Sequence, residues 1–158
     1  MRGGRTRTRE PGIEYAVADL SQPLPRTQGM FALVLCNLVL DDIAGHRGFA
    51  ASMAEVLESR GRLVLSLNKP YPAVLRGKVG SYFESGTMGT YTGLRSAGVD
   101  VPFHHRTLEE YITAFGEAGL TLLRLFDVRR PGGDNLPSDQ RALGERFPWF
   151  MILELVRA

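Results

Sequence analysis

Two short stretches carry the side chains best suited to moving protons. Asp41 and Asp42 follow a long apolar run, and His104, His105 and Arg106 stand just ahead of a helical pattern. A carboxylate or an imidazole can take a proton from a reacting nucleophile, so His105 and Asp42 are the candidate general bases. Arg106, beside His105, can orient an acceptor molecule. Both groups also have plain structural uses. The acidic pair can sit at the positive end of a helix dipole, and the His-Arg group can serve as hydrogen-bonding loop residues. Tyr71, Tyr82, Phe83 and Tyr91 fall within one glycine-rich stretch. They either line an apolar acceptor pocket or form the small core of that stretch. On the first alternative Tyr71 and Tyr82 join His105 and Arg106 as candidate substrate contacts.

Metal chemistry is not expected. Cys36 is the only cysteine, which excludes an internal disulfide and a cysteine-based metal site. His46, His104 and His105 lack zinc-ligand spacing. Cys36 itself sits in the apolar run, where it reads as packing rather than as a nucleophile.

Composition narrows the partners. The net charge of +2 is too small to point to nucleic acid. Arg2, Arg5, Arg7 and Arg9 crowd the first ten residues, a pattern of a solvated or frayed tail. No apolar run approaches the ~18 to 20 residues that cross a bilayer. No apolar segment of a signal peptide follows the basic start. A cytoplasmic protein with a small-molecule substrate and no membrane partner is the expectation.

The elements that must hold these residues can be read from hydropathy. Residues 1–12 form a basic tail or the end of a helix. Ile13 to Leu20 alternates as a strand that runs into Asp19 and a Ser-Gln-Pro-Leu-Pro loop. Phe31 to Leu40, FALVLCNLVL, is nearly continuous in apolar residues, as a central parallel strand buried on both faces would be. A helix over Arg47–Ser59 follows, closed by Arg60-Gly61 as a glycine cap. Arg62 to Leu67 is the next buried strand. The alternation argues for a doubly wound α/β sheet.

From residue 70 to 106 the pattern breaks, and this segment reads as an insertion or lid on the substrate side. A hairpin of about Gly80–Tyr91 against Val99–His104 is expected within it. Thr107 with Glu110 forms a capping box that starts a helix closed by Gly119. Leu120–Val128 is a strand, 129–146 a polar surface loop, and Trp149–Val156 the last strand. The last two strands are expected to pair antiparallel at the sheet edge.

This order of elements resembles the second half of a class I S-adenosylmethionine-dependent methyltransferase of the small-molecule type. IEYAVADL (Ile13–Leu20) looks like that family's third strand, whose terminal acidic residue and next backbone N–H hold adenine. The resemblance carries that role to Asp19 and Leu20. FALVLCNLVLDDI (Phe31–Ile43) looks like the fourth strand and its turn, with Ala32 where the family usually has Asp. It implies that Cys36, Asn37 and Leu38 face the methionine part of the cofactor. LESRGRLVLSL resembles the fifth strand with its preceding turn, and FHHRTLEEYITAFGEAG the segment that brings a His-Arg pair near the substrate.

The implied fold is an incomplete Rossmann-like sheet, mostly parallel with an antiparallel C-terminal strand. The family sheet runs 3-2-1-4-5-7-6. Its glycine-rich loop and ribose carboxylate belong to strands one and two, and this sequence contains no G-x-G-x-x-G or G-x-G-x-G. Residues 13–158 are thus expected to be one partial methyltransferase domain. The strand Phe31–Leu40 would lose a neighbour. Either Ile13–Ala18 pairs with it, or a second copy covers the exposed edge. The implied function is S-adenosylmethionine-dependent methyl transfer to a small molecule, by a truncated product or one with a late-called start. A non-catalytic descendant that binds a ligand or partner is the alternative, and an unrelated α/β enzyme the third.

Overall fold

The computed structural model describes residues 12–24, 30–94, 99–129 and 138–158. The four-stranded sheet has the order β1 (Phe31–Asn37), β2 (Leu57–Asn68), β6 (Phe150–Arg157) and β5 (Leu120–Val128). β1 and β2 are parallel, while β6 runs antiparallel to both β2 and β5. Three strands therefore point one way and the last one opposes them. A separate antiparallel hairpin pairs β3 (Gly86–Leu94) with β4 (Val99–His105).

The core lies on one face of the sheet. Leu63, Leu65 and Leu67 of β2 pair with Leu155, Leu153 and Met151 of β6, and all six are buried. Two helices close over them. Phe49, Ala50 and Met53 come from α1 (His46–Val56), and Tyr111, Ala114 and Phe115 from α3 (Leu108–Glu117). At about 1.5–3 kcal/mol for each fully buried large apolar side chain, this single layer supplies the main drive to fold. Both α1 and α3 pack in this one cluster, on the same face of the Rossmann-like α/β sheet expected from the sequence. On the other face Leu33, Leu35 and Phe126 stay exposed.

The segment read as the strand Ile13–Leu20 carries no strand, and it does not pair with β1. Its alternation is real, but a strand exists only where a ladder satisfies the backbone. Ile13, Tyr15 and Val17 are exposed, Val17 at 94%. The expected central strand likewise ends at Asn37 and stands at the sheet edge. Residues 1–11, read from the sequence as part of a basic tail or helix end, and residues 25–29 lie outside the described residues.

The helix expected over Arg47–Ser59 ends three residues early, at Val56. Leu57 already pairs with Phe31, and the next aligned pair is Leu33 with Arg62. β2 thus advances five residues while β1 advances two. The surplus forms a bulge in which Arg60 is left-handed at φ 63°. A Cβ on Gly61 would lie 2.9 Å from the carbonyl oxygens of both Phe31 and Glu58. Gly61 therefore serves a close backbone approach, not a helix cap.

The capping box is present as read. Thr107 accepts from the Glu110 N–H, and Glu110 accepts from the Thr107 N–H. Gly119 follows the helix at φ 79°. The polar stretch read as a loop over 129–146 instead contains α4 (Ser138–Arg146). Its sequence, SDQRALGER, has no apolar stripe from which a helix could be read.

Candidate functional site

A cavity of about 260 Å³ opens at the carboxyl ends of β1 and β2. Ligands of open α/β sheets bind at that end of the strands. Its floor is Asp41 and Asn68, which follow β1 and end β2. One wall is Phe103 to Arg106, from the end of β4 to the start of α3. The rim comes from α2 (Tyr71–Leu75) and the residues just after it. Trp149, just ahead of β6, closes the far side.

Asp41 joins these parts. It lies in the 3-10 turn Leu40–Asp42 and is 5% exposed. Its carboxylate accepts from the Tyr111 hydroxyl at 2.7 Å, the Asn68 amide Nδ2 at 2.7 Å and the Asn68 N–H at 3.2 Å. Burial, with Asp41 beside it, pushes the Tyr111 phenol above its ordinary range. Tyr111 therefore stays protonated and donates. One carboxylate thus ties the turn after β1 to the end of β2 and to α3. Asp42, the member of the pair read as a base, is half-buried and does not line the cavity.

His105 and Arg106 do line it. The His105 Nε2 lies 3.1 Å from the Tyr82 carbonyl. That oxygen can only accept, so Nε2 carries the proton, and in the neutral ring Nδ1 is left as the acceptor. Arg106 is buried and donates to the carbonyls of Leu40 at 3.1 Å, Ala44 at 2.8 Å and Ile43. Its guanidinium fork holds the turn after β1 in place. Tyr71 and Tyr82 do not line the cavity; they brace its walls. Tyr71 donates to the Pro148 carbonyl at 2.6 Å, and the Tyr82 hydroxyl accepts from the Leu108 N–H at 3.0 Å. Phe83 is 83% exposed. The Tyr91 side chain lies outside the described residues.

Two histidines near this wall are set up to stay neutral. Burial, and then Arg106, pushes His104 below its ordinary range; burial, Arg106 and Arg47 do the same to His46. The unfolded chain, with histidine near about pKa 6.5, then binds protons first as the pH falls. Stability is expected to hold above about pH 6.5 and to drop as pH falls from there toward the lower folded values. Denaturant midpoints measured from pH 7.5 to 5.5 check this. The His46→Gln/His104→Gln double variant should flatten the slope.

The residues carried over to the cofactor side fall in two segments, Asp19–Leu20 and Cys36–Leu38. Asp19 is exposed, and its carboxylate accepts from the Ser21 N–H at 2.9 Å and the Ser21 hydroxyl at 2.7 Å. These bonds hold it below the usual carboxylate range. It closes a local turn. Leu20 packs against the core. Cys36 is half-buried, and burial pushes its thiol up. Asn37 accepts from the Ser66 hydroxyl at 2.5 Å. Leu38 is left-handed at φ 53°, held there by its N–H on the Ser66 carbonyl and hydroxyl, each at 3.1 Å. A strained non-glycine residue at the end of a parallel strand is what a ligand-facing turn looks like. Among the described residues, no group of three His, Cys, Asp or Glu side chains could hold a metal ion. Nor is any helix of theirs long and apolar enough to cross a membrane.

The sheet order and the cavity can now be set against known structures. An S-adenosylmethionine-dependent methyltransferase from Mesorhizobium loti superposes with a TM-score of 0.67 at 19% identity, over 95% of this chain and 72% of that one. A Listeria monocytogenes protein assigned to the same activity gives 0.74 at 22% identity, over 96% and 72%. The N-methyltransferase NodS from Bradyrhizobium japonicum, in complex with S-adenosyl-L-homocysteine, gives 0.57 at 16% identity, over 94% and 56%. The chain has the fold of class I S-adenosylmethionine-dependent methyltransferases. No protein-family model and no curated protein matches it. Within the methyltransferase order 3-2-1-4-5-7-6, the observed β1-β2-β6-β5 reproduces the run 4-5-7-6, antiparallel strand included.

Sequence reasoning missed several cavity residues. Asn68, Arg76, Lys78 and Trp149 belong to no motif, and only the fold brings them together. The one available signal was that Arg76 and Lys78 flank a glycine, Gly77, within the segment read as substrate-side.

Proposed function

We propose that this chain serves S-adenosylmethionine-dependent methyl transfer to a small molecule, with the cavity between β2, α2 and β4 as the acceptor site. The observation that carries this reading is a cavity at the carboxyl ends of the parallel strands, beside the left-handed turn at Leu38. The residues fit the methionine half of the cofactor. Cys36, Asn37 and Leu38 offer a turn rigidified by Ser66 at the sheet's carboxyl edge. Asp19 and Leu20 are the adenine-side candidates, although Asp19 is turned to Ser21. The glycine loop has no counterpart in the sequence. S-adenosylmethionine supplies a methyl group on a sulfonium, which needs only an aligned nucleophile held dry and close.

The chain's own residues account for the acceptor side. Segment 70–106 acts as the lid, tied to α3 through Tyr82 and through the Ser85 hydroxyl, which donates to Glu110 at 2.5 Å. Tyr71 braces the cavity through the Pro148 carbonyl, and Arg106 forms part of its wall. His105 is the base where the acceptor must lose a proton, taking it on Nδ1, and Asp42 is the reserve candidate. A cytoplasmic setting suits this chemistry. With only the methionine half held, affinity should be about millimolar, near −4 kcal/mol. Thermal unfolding at about 5 mM S-adenosylmethionine should then give ~1 kcal/mol of stabilisation, a rise of roughly 2–4 °C in Tm. An unmoved Tm would count against the reading.

The exposed β1 edge supports a second property, self-association. Phe31 and Leu33 are about half exposed and Leu35 is 71% exposed. The occupant we propose is a second copy of this chain, pairing β1 to β1 about a two-fold axis.

A further inference from the structure

The cavity presents two hydrogen-bond acceptors of fixed orientation. The first is on Asn68. The Asp41 carboxylate can only accept, so the Asn68 group 2.7 Å from it is the amide nitrogen Nδ2. That bond, with the Asn68 N–H also on Asp41, fixes the carboxamide and leaves its Oδ1 for another partner. Asn68 is exposed and lines the cavity, and among the described residues its Oδ1 has no donor. The second acceptor is on His105. Its Nε2 proton points at the Tyr82 carbonyl, so Nδ1 carries the lone pair in the neutral ring. His105 is 2% exposed, yet the one buried side-chain polar atom without a partner among the described residues is the His46 Nε2. The His105 Nδ1 has no donor from the described residues either, so it is open to the cavity that His105 lines.

Two acceptors call for two hydrogens on the ligand. A hydroxyl has one to give, and a primary amino group has two. Charge decides the form of that amino group. Asp41 is the one carboxylate among the described lining residues, and Tyr111 and Asn68 already occupy it. Lys69, Arg76 and Arg106 line the same cavity, and like charges repel more strongly away from bulk water. An ammonium ion is therefore disfavoured, and an uncharged amine fits. With both N–H groups engaged, its nitrogen lone pair stays unused, the state a methyl acceptor needs. A cavity of about 260 Å³ is small against the roughly 300–1,000 Å³ of drug-sized sites, so one compact molecule reaches both acceptors.

We infer that the cavity binds a small, weakly basic primary amine in its uncharged form, one N–H donated to the Asn68 Oδ1 and the other to the His105 Nδ1. As an assignment of the methyl acceptor, a nitrogen rather than an oxygen, this rests on the methyl-transfer reading; as a binding site it stands on the cavity alone.

The experiment is a titration of the whole chain at neutral pH, without S-adenosylmethionine, followed by amide and side-chain NMR. Aniline, phenol and toluene share one ring and carry two, one and no donor hydrogens; benzylamine is the charged control. Aniline should bind about tenfold more tightly than toluene, with phenol between them. It should move the Asn68 side-chain amide and the His105 ring resonances. Benzylamine should bind no better than toluene. Asn68→Leu keeps nearly the same shape without the carbonyl, and it should bring aniline down to the level of phenol while leaving toluene no weaker. Asn68 is exposed, and retained toluene binding shows that the cavity of the variant is intact. Aniline binding no tighter than phenol, benzylamine matching aniline, an unaffected Asn68→Leu, or no binding of aniline overturns the inference. Such a failure is separate from failure of the methyl-transfer reading, which is measured with S-adenosylmethionine.

Discussion

Asp41→Ala should destabilise the chain by about 3 kcal/mol and lower Tm by roughly 6–12 °C. The substitution leaves three donors without an acceptor: the Tyr111 hydroxyl, the Asn68 N–H and the Asn68 amide. A buried donor without a partner costs about 1–3 kcal/mol, and bonds to a charged group are the stronger kind. The effect should exceed that of any single apolar truncation on the open face, since Leu33 and Leu35 are already in water. Tyr111→Phe alone removes one donor and should cost only about 1 kcal/mol. The Asp41→Ala/Tyr111→Phe double variant should then cost less than the sum, because one interaction is counted in both singles. Chemical denaturation of the four proteins measures this cycle. A loss below about 0.5 kcal/mol for Asp41→Ala, the range of ordinary surface changes, would show that this carboxylate does not hold the floor of the cavity.

The second large effect concerns association. β1, FALVLCN, carries no charged residue, whereas the other edge strand, β5, carries Arg124 and Asp127. Charge is the usual protection of a strand edge, so β1 is the edge that should pair. Sedimentation velocity across a hundredfold concentration range should show a dimer that dissociates on dilution. Leu33→Lys/Leu35→Lys should leave a monomer at every concentration, and its stability should change little because both side chains are exposed. A wild-type chain that remains monomeric at its highest soluble concentration would rule out the pairing.

The sequence was most informative where structure is set by near neighbours. The Thr107–Glu110 capping box satisfies orphan N–H groups within a single turn, so four residues suffice to read the start of α3. Leu120–Val128 lies between Gly119 and a polar segment, and its limits match β5. Long-range relations were much less legible. Ile13–Ala18 alternates like a strand, yet nothing in the segment says whether a ladder exists beside it. Glycine after a helical pattern has two meanings, and Gly61 has the second, because its neighbour is the Phe31 carbonyl from another strand. The site divides the same way. His105 and Arg106 stood out by type, and the cavity brings them together with Asp41, a residue whose anchoring role depends on Tyr111, 70 positions away. Arg76 and Lys78 look like ordinary surface cations until Trp149 and Phe103 are placed behind them.

The proposed function rests on the turn after β1 meeting the methionine half of S-adenosylmethionine. Its most direct test is residue-by-residue amide NMR of the 158-residue chain during titration with millimolar S-adenosylmethionine. Saturable shifts should concentrate from Cys36 to Asp42 and at Ser66, which holds Leu38 in its left-handed turn. Unmoved amides through Cys36–Asp42, with shifts absent or scattered over the surface, would contradict it.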